Sequence, residues 1–147
     1  METLTAMLDW LRLALHEKLD GVDEEAARRR LVSSETTLLG LVKHAAVTEA
    51  GWFRYCFLGE EDPYADEEGF ELDDSDDVAG ILALYRAECD KSRAAIRGAA
   101  PDDPAARELN GRNYNLRYIL IHMIEETARH AGHADILREQ IDGSIGE

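Results

Sequence analysis

Three of the five histidines and two glutamates lie within one thirteen-residue stretch, from Ile121 to His133. The stretch has the apolar spacing of an α-helix, in which successive residues turn by about 100°. Glu126 and His130 are four residues apart, so they project from one helix face, one turn apart. Imidazole and carboxylate are ligands of zinc and other divalent transition metals. The pair therefore indicates an incomplete metal site that needs a third ligand.

A helical wheel places both groups on the apolar side of this segment. With Glu126 at zero, His130 lies at about +40°, between apolar positions at about +20° and about +60°. His122 and His133 fall at about −40° and about −20°, nearer the rim of that face. Burying polar groups without partners costs several kcal/mol. We therefore expect a metal ion or a buried ion pair to satisfy them. The apolar residues of this face are Ile119, Met123, Leu137 and Ile141.

A histidine in the second helical segment is the natural third ligand. His44 shares an inward stripe with Leu41, Thr48 and Tyr55. Helical bundles build metal sites from inward-facing side chains on facing helices. Three protein ligands leave a coordination position for water or substrate, as in catalytic zinc sites. The alternatives are an ordinary hydrogen-bonded core histidine here and an ordinary i,i+4 pair in the last helix.

Four long segments with helical period must position these residues. The pattern predicts an all-α protein, a four-helix bundle in a single domain over residues 1–147. A short helical turn is expected over about 23–30, and Gly59 and Gly143 are expected to end the second and fourth helices. The long helices are expected near residues 2–19, from Ser33 or Ser34 to about 58, over about 77–99, and from about 114 to 142.

An acidic run connects the second and third helices. Residues 59–77 hold eleven acids among nineteen positions, which predicts a solvated loop. Asp76 or Asp77 is expected to cap the third helix, where a negative charge is favourable. The net charge of −15 argues against a nucleic-acid backbone or an anionic membrane surface as partner.

Cysteine usage and hydropathy favour the cytoplasm. Cys56 and Cys89 are too few for a disulfide framework, and each is expected to be reduced in or near the core. The sequence has no signal-peptide pattern and no run of 18 apolar residues. His16, near the end of the first helix, is expected at the surface. Arg129 and Arg138 are expected to pair with surface acids.

Two stretches carry a family resemblance. The first is Leu39–Glu49, which holds the histidine of the second helix, and the other is Glu126–Glu139. They resemble the DinB/YfiT-like superfamily of four-helix-bundle metal-dependent enzymes, and the likeness covers nearly the whole chain. The string Arg-His-Ala-Gly-His-Ala-Asp-Ile-Leu-Arg-Glu is typical of an uncharacterised domain family within it.

The resemblance implies a metal triad of His44, Glu126 and His130. Many relatives have two histidines four residues apart in the last helix, and here Glu126 takes the first position. That departure is similar to the mycothiol-dependent maleylpyruvate isomerase branch, whose triad is two histidines and a glutamate. A divalent metal, zinc or nickel first among the options, is therefore expected as cofactor.

The resemblance also implies chemistry with a low-molecular-weight thiol, mycothiol or bacillithiol. A metal with an open position lowers the pKa of a bound thiol or water, which favours S-transfer, isomerisation or hydrolysis. His122, His133 and Tyr55 are candidates for orienting substrate or moving protons. Relatives commonly pair through bundle faces, so a homodimer is expected, with aromatics near Trp52 and Tyr55. The alternatives are a non-catalytic, stress-related metal- or ligand-binding protein and a helical interaction module.

Overall fold

The computed structural model describes residues 1–65, 70–109 and 111–146. Within them the regular structure is helical, with only isolated bridges such as Pro104 to Asn115 outside the helices. The all-α class is therefore confirmed. The helices are α1 (Glu2–Glu17), α2 (Glu24–Ala27), α3 (Leu38–Glu49), a π-helical segment that continues α3 (Ala50–Leu58), α4 (Val78–Ala95) and α5 (Leu116–Asp142).

Short polar side chains cap the N-terminal ends of α3, α4 and α5. The Asp77 carboxylate accepts from the Gly80 backbone N–H at 2.6 Å, which confirms one of the two predicted caps of α4. Asn115 caps α5 in the same way. The predicted start of α3 at Ser33 or Ser34 was wrong. Thr37 caps α3 instead, because the buried apolar residues begin only at Leu38.

The four long helical segments pack side by side around a common core. α1 packs along α5, α3 packs along both α4 and α5, and α4 also contacts α1. Around the bundle the order is thus α1, α5, α3 and α4, which differs from the order along the chain. Consecutive long helices α1 and α3 consequently face each other across the interior. Arg12 of α1 and Glu49 of α3 meet there in a buried ion pair.

The core consists of two apolar clusters at the two ends of the bundle. One holds Leu15, Leu41, Tyr85 and Leu137, and the other holds side chains such as Phe53, Ile119 and Met123. Cys89 belongs to the first and Cys56 to the second, and both are free buried thiols, as the sequence predicts. None of the described helices combines the length and the hydropathy that crossing a bilayer requires.

The acidic connection is anchored to α3. The Lys43 ammonium, nearly buried, lies 3.2 Å from the Asp73 carboxylate and 3.1 Å from that of Asp76. Phe70 of the same connection stacks on the ring of His44. The predicted solvated loop is therefore only partly right, because an opposite charge on α3 draws this half of the loop inward. Residues 66–69 of the acidic run lie outside the described residues.

His16 is buried, which corrects the expectation that it lies at the surface. Only 8% of its surface is exposed to solvent. α1 packs against α5 on one side and faces α4 on another, so more of its circumference is covered than one apolar stripe predicts. His16 lies on the side that faces α4, together with Arg12.

Candidate metal centre

His44 of α3 and His130 of α5 meet at the seam between their helices. Their ring centroids lie 4.9 Å apart, with the ring planes nearly perpendicular at 81°. His130 is 6% exposed, and His44 is half-buried. The inward position of His130 follows from its place in the apolar stripe of α5, where Met123 and Leu137 are also buried. The structure therefore brings together imidazoles from the two stretches that the sequence singles out.

Glu126 lies one helical turn before His130 and is near it in space. Its Oε2 lies 3.4 Å from Nε2 of His130. The other oxygen, Oε1, accepts a hydrogen bond from Arg129. Arg129 also donates to Glu125 at 2.6 Å, so its predicted pairing with acids is confirmed. One carboxylate oxygen thus faces the histidine while an arginine holds the other.

The His130 ring is buried without a hydrogen bond. Neither ring nitrogen has a hydrogen-bond partner among the residues that the structure describes. Burial, followed by the adjacent His44, lowers the pKa of His130 to about 4, and the Glu126 carboxylate offsets only part of that lowering. At neutral pH the imidazole is therefore uncharged, and one of its nitrogens carries a free lone pair.

Two further side chains shape the surroundings of His44. The Thr48 hydroxyl donates to the backbone carbonyl of His44 at 2.8 Å and lies 3.4 Å from its Nε2. The Phe70 ring stacks on the His44 ring with centroids 4.3 Å apart and also faces His130 at 6.1 Å. Sequence reasoning missed Phe70 because it lies in a connection without helical period. Its signal is that it interrupts an otherwise acidic run with an aromatic ring.

Of the other predicted site residues, only His133 lies near the pair. Its exposed ring lies 6.1 Å from that of His130, and it borders a shallow, mostly apolar pocket of about 260 Å³ with Ile136 and Thr36. His122 packs on Trp52, with ring centroids 4.5 Å apart. It lies eight residues before His130, which is about 12 Å along the helix axis.

Tyr55 lies far from the histidine pair. It belongs to the π-helical segment, and its ring lies under the Arg107 guanidinium at 4.7 Å. A π-helix has more residues per turn than an α-helix. The α-helical spacing that would place His44 and Tyr55 on one face therefore does not continue beyond Glu49. No contact between Tyr55 and either histidine occurs in the described part of the chain.

The donor types at this seam fit a divalent transition metal, although their side chains are not arranged as a finished site. Two imidazoles and a carboxylate form a donor set suited to zinc and related ions. The unsatisfied ring nitrogens of buried His130 are the structural observation that favours such a ligand. Across residues 1–65, 70–109 and 111–146, no three His, Cys, Asp or Glu side chains already have a metal-binding arrangement.

A comparison with protein families places the chain in a known family. The model of a family described as Mycothiol-S-transferase matches residues 3–143, which include all of the described helices except the first residue of α1. That family is part of the DinB/YfiT-like superfamily, so the resemblance seen in the sequence is confirmed. No curated protein matches the chain at a significant level.

Proposed function

We propose, since the chain belongs to the mycothiol-S-transferase family, that it transfers a low-molecular-weight thiol such as mycothiol to an electrophilic small molecule. The observation that carries the proposal is the approach of His44, Glu126 and His130 at the α3–α5 seam. These three residues would hold a divalent metal ion, zinc or nickel. An ion bound there supplies an open coordination position and lowers the pKa of a thiol or water.

The remaining groups at the seam have supporting roles in this proposal. Arg129 holds one oxygen of Glu126 and so limits the rotation of that carboxylate. Phe70 covers one face of the His44 ring and reduces the access of water to it. During transfer the thiol sulfur forms a bond to the electrophilic carbon, and the leaving group departs with its electron pair. His133, exposed at the rim, accepts the thiol proton and passes it to solvent.

The test joins metal content with activity. Purified untagged protein is expected to contain close to one equivalent of metal, and His44→Ala and Glu126→Ala are expected to contain far less. Activity is measured as mycothiol-dependent release of chloride from 1-chloro-2,4-dinitrobenzene. Glu125→Ala is the matched control, because Glu125 is the exposed neighbour that also pairs with Arg129. It should retain both metal and activity.

The outcomes separate the functions. Equal rates of chloride release in wild type, His44→Ala and Glu126→Ala would show that thiol transfer does not occur at this site. Metal bound by wild type without any thiol-dependent turnover, across a panel of electrophiles, would favour the non-catalytic metal-binding alternative. Protein that takes up no metal, with unchanged melting on chelation, would favour the helical interaction module.

The single domain, the homodimer and the cytoplasmic location are further parts of the proposal. Trp52, Tyr114 and Tyr118 form a continuous aromatic surface, with the rings of Tyr114 and Tyr118 stacked at 4.4 Å. Tyr118 and the neighbouring Ile121 are exposed. A second copy of the chain would cover this surface. Sedimentation should give a dimer for wild type and a monomer for Tyr118→Glu, whereas a wild-type monomer would exclude the dimer.

A further inference from the structure

A second cavity lies on the other side of the bundle from His44 and His130. It has a volume of about 320 Å³ and opens between α1 and α4, whereas the histidine pair lies between α3 and α5. This volume is near the lower end of the range for small-molecule sites. The residues that line it include Arg12, Leu13 and His16 from α1, and Tyr85, Arg86 and Cys89 from α4.

Two arginines of this cavity are fully engaged by acids and form fixed parts of its wall. Arg12 donates to Glu49 at 2.7 Å and 2.5 Å, and to Asp9 at 2.9 Å. Arg93 donates to the same Asp9 at 3.0 Å and to Asp90 at 2.7 Å. Such charge-assisted contacts hold a guanidinium in one position. Neither arginine has its charge available for a ligand.

Three other groups at the cavity have no strong partner within the described residues. The Tyr85 side chain is 1% exposed, and its hydroxyl has at most the Cys89 thiol, a weak hydrogen-bonding group, as a partner within these residues. Nε2 of His16, also buried, has no hydrogen-bond partner among them. Arg86 is exposed at the cavity and forms no ion pair with a described residue, and its charge adds to the effect of burial in lowering the pKa of His16. The hydroxyl of Tyr85 and Nε2 of His16 are therefore buried polar atoms without a strong partner, a state that lowers stability and that a bound ligand would relieve.

We propose that the α1–α4 cavity is a separate binding site for a small organic carboxylate. The Arg86 guanidinium pairs with the carboxylate, and the Tyr85 hydroxyl and His16 Nε2 form hydrogen bonds to its polar atoms. Leu13 and the Cys89 side chain contact its apolar part. A monoanion fits better than a phosphate dianion, because Asp9 and Asp90 also line the cavity and add negative charge to its wall.

The test titrates the full-length chain with benzoate and with benzamide, its neutral counterpart of the same shape, and follows backbone amide shifts by NMR. Benzoate is expected to cause saturable shifts confined to residues 9–16 and 85–93, with benzamide at least about tenfold weaker. Arg86→Gln should weaken benzoate binding at least about tenfold, and Tyr85→Phe several-fold. Arg97→Gln is the matched control, because Arg97 is exposed beyond the end of α4 and outside the cavity.

Several results would overturn this proposal. They are the absence of saturable binding for both benzoate and hexanoate, equal affinities for benzoate and benzamide, and an equal loss of affinity in Arg97→Gln and Arg86→Gln. His130→Ala separates this site from the proposed metal centre. It should leave benzoate binding unchanged whether or not the protein transfers thiols, since His130 lies between α3 and α5, away from the α1–α4 cavity.

Discussion

The ring of His130 lies edge-on to the ring of His44, with the centroids 4.9 Å apart. The two residues belong to helices far apart in the chain, and their contact fixes the relative position of α3 and α5 at this level. Neither nitrogen of the buried His130 ring has a hydrogen-bond partner within the described residues, and the Glu126 carboxylate lies beside it. A metal-dependent function can therefore be tested by substituting the residues of this contact.

Replacement of His130 by leucine should have opposite effects on the metal-free and metal-loaded proteins. In metal-free protein, His130→Leu should raise the free energy of unfolding by about 1–3 kcal/mol, because a buried imidazole without hydrogen bonds is removed. The metal proposed for this site should raise the free energy of unfolding of metal-replete wild type, and the variant should lose that increase. Urea denaturation with and without chelator measures both effects.

His122→Leu is the control for that substitution, since it changes a histidine of the same helix that packs on Trp52. It should keep the chelator-sensitive part of the stability. A metal-free His130→Leu protein less stable than metal-free wild type would contradict the argument.

The buried ion pair between Arg12 and Glu49 should be costly to break from one side. Arg12 is 5% and Glu49 is 1% exposed, and although burial opposes it, the carboxylate raises the pKa of Arg12 above its usual value. Arg12→Met should lower the free energy of unfolding by about 3–5 kcal/mol, because it strands a buried carboxylate. Adding Glu49→Leu should recover most of the loss, as urea denaturation of both variants would measure. A double variant less stable than Arg12→Met would show that the pair is not coupled.

The buried thiol of Cys89 should make the stability fall at alkaline pH. Burial, followed by the nearby Glu49 carboxylate, raises the pKa of Cys89 to about 12. Above about pH 9 the unfolded chain loses this proton while the folded protein keeps it, so the free energy of unfolding decreases by up to about 1.4 kcal/mol per pH unit. Buried Tyr85, whose pKa is also raised, adds to the decrease above its usual range near 10.

Chemical denaturation at pH 8, 9 and 10 measures this slope. Cys89→Ala should be less stable overall but should lose less stability between pH 8 and 10 than wild type. An identical slope in the two proteins would mean that the thiol does not titrate differently on unfolding.

The Phe70 ring should protect His44 from modification. It stacks on one face of the imidazole at 4.3 Å. Phe70→Ala should therefore raise the rate of His44 modification by diethyl pyrocarbonate several-fold, measured by mass spectrometry of the digested protein. Leu72→Ala is the matched control, because Leu72 lies in the same connection and packs on the core. Equal rates in the two variants would mean that a general loosening of the connection exposes His44.

Several elements of the fold could be predicted because their signals are local. The apolar period of 3.6 residues locates the long helices, and Asp77 at the start of α4 and Gly59 at the end of the π-helical segment mark two of their ends. Gly59 adopts φ +77°, a left-handed conformation that favours glycine. The burial of His130 follows from its position among Met123 and Leu137 on one face.

Other features could not be predicted from local signals. The π-helical segment after Glu49 changes the number of residues per turn, so a wheel drawn at 100° places Tyr55 on the wrong side. The burial of His16 depends on α4, which covers a second side of α1. Phe70 reaches His44 only because Lys43 draws the acidic connection onto α3.

The sequence by itself determined the all-α class, the family and the residue types available at the candidate centre. These depend on periodicity, capping and side-chain chemistry, all of which act within a few turns of helix. Only the tertiary structure decided which helix faces which, and therefore that His44 meets His130 while Tyr55 lies elsewhere. It also created the α1–α4 cavity, because the gap between two helices depends on how all four pack together.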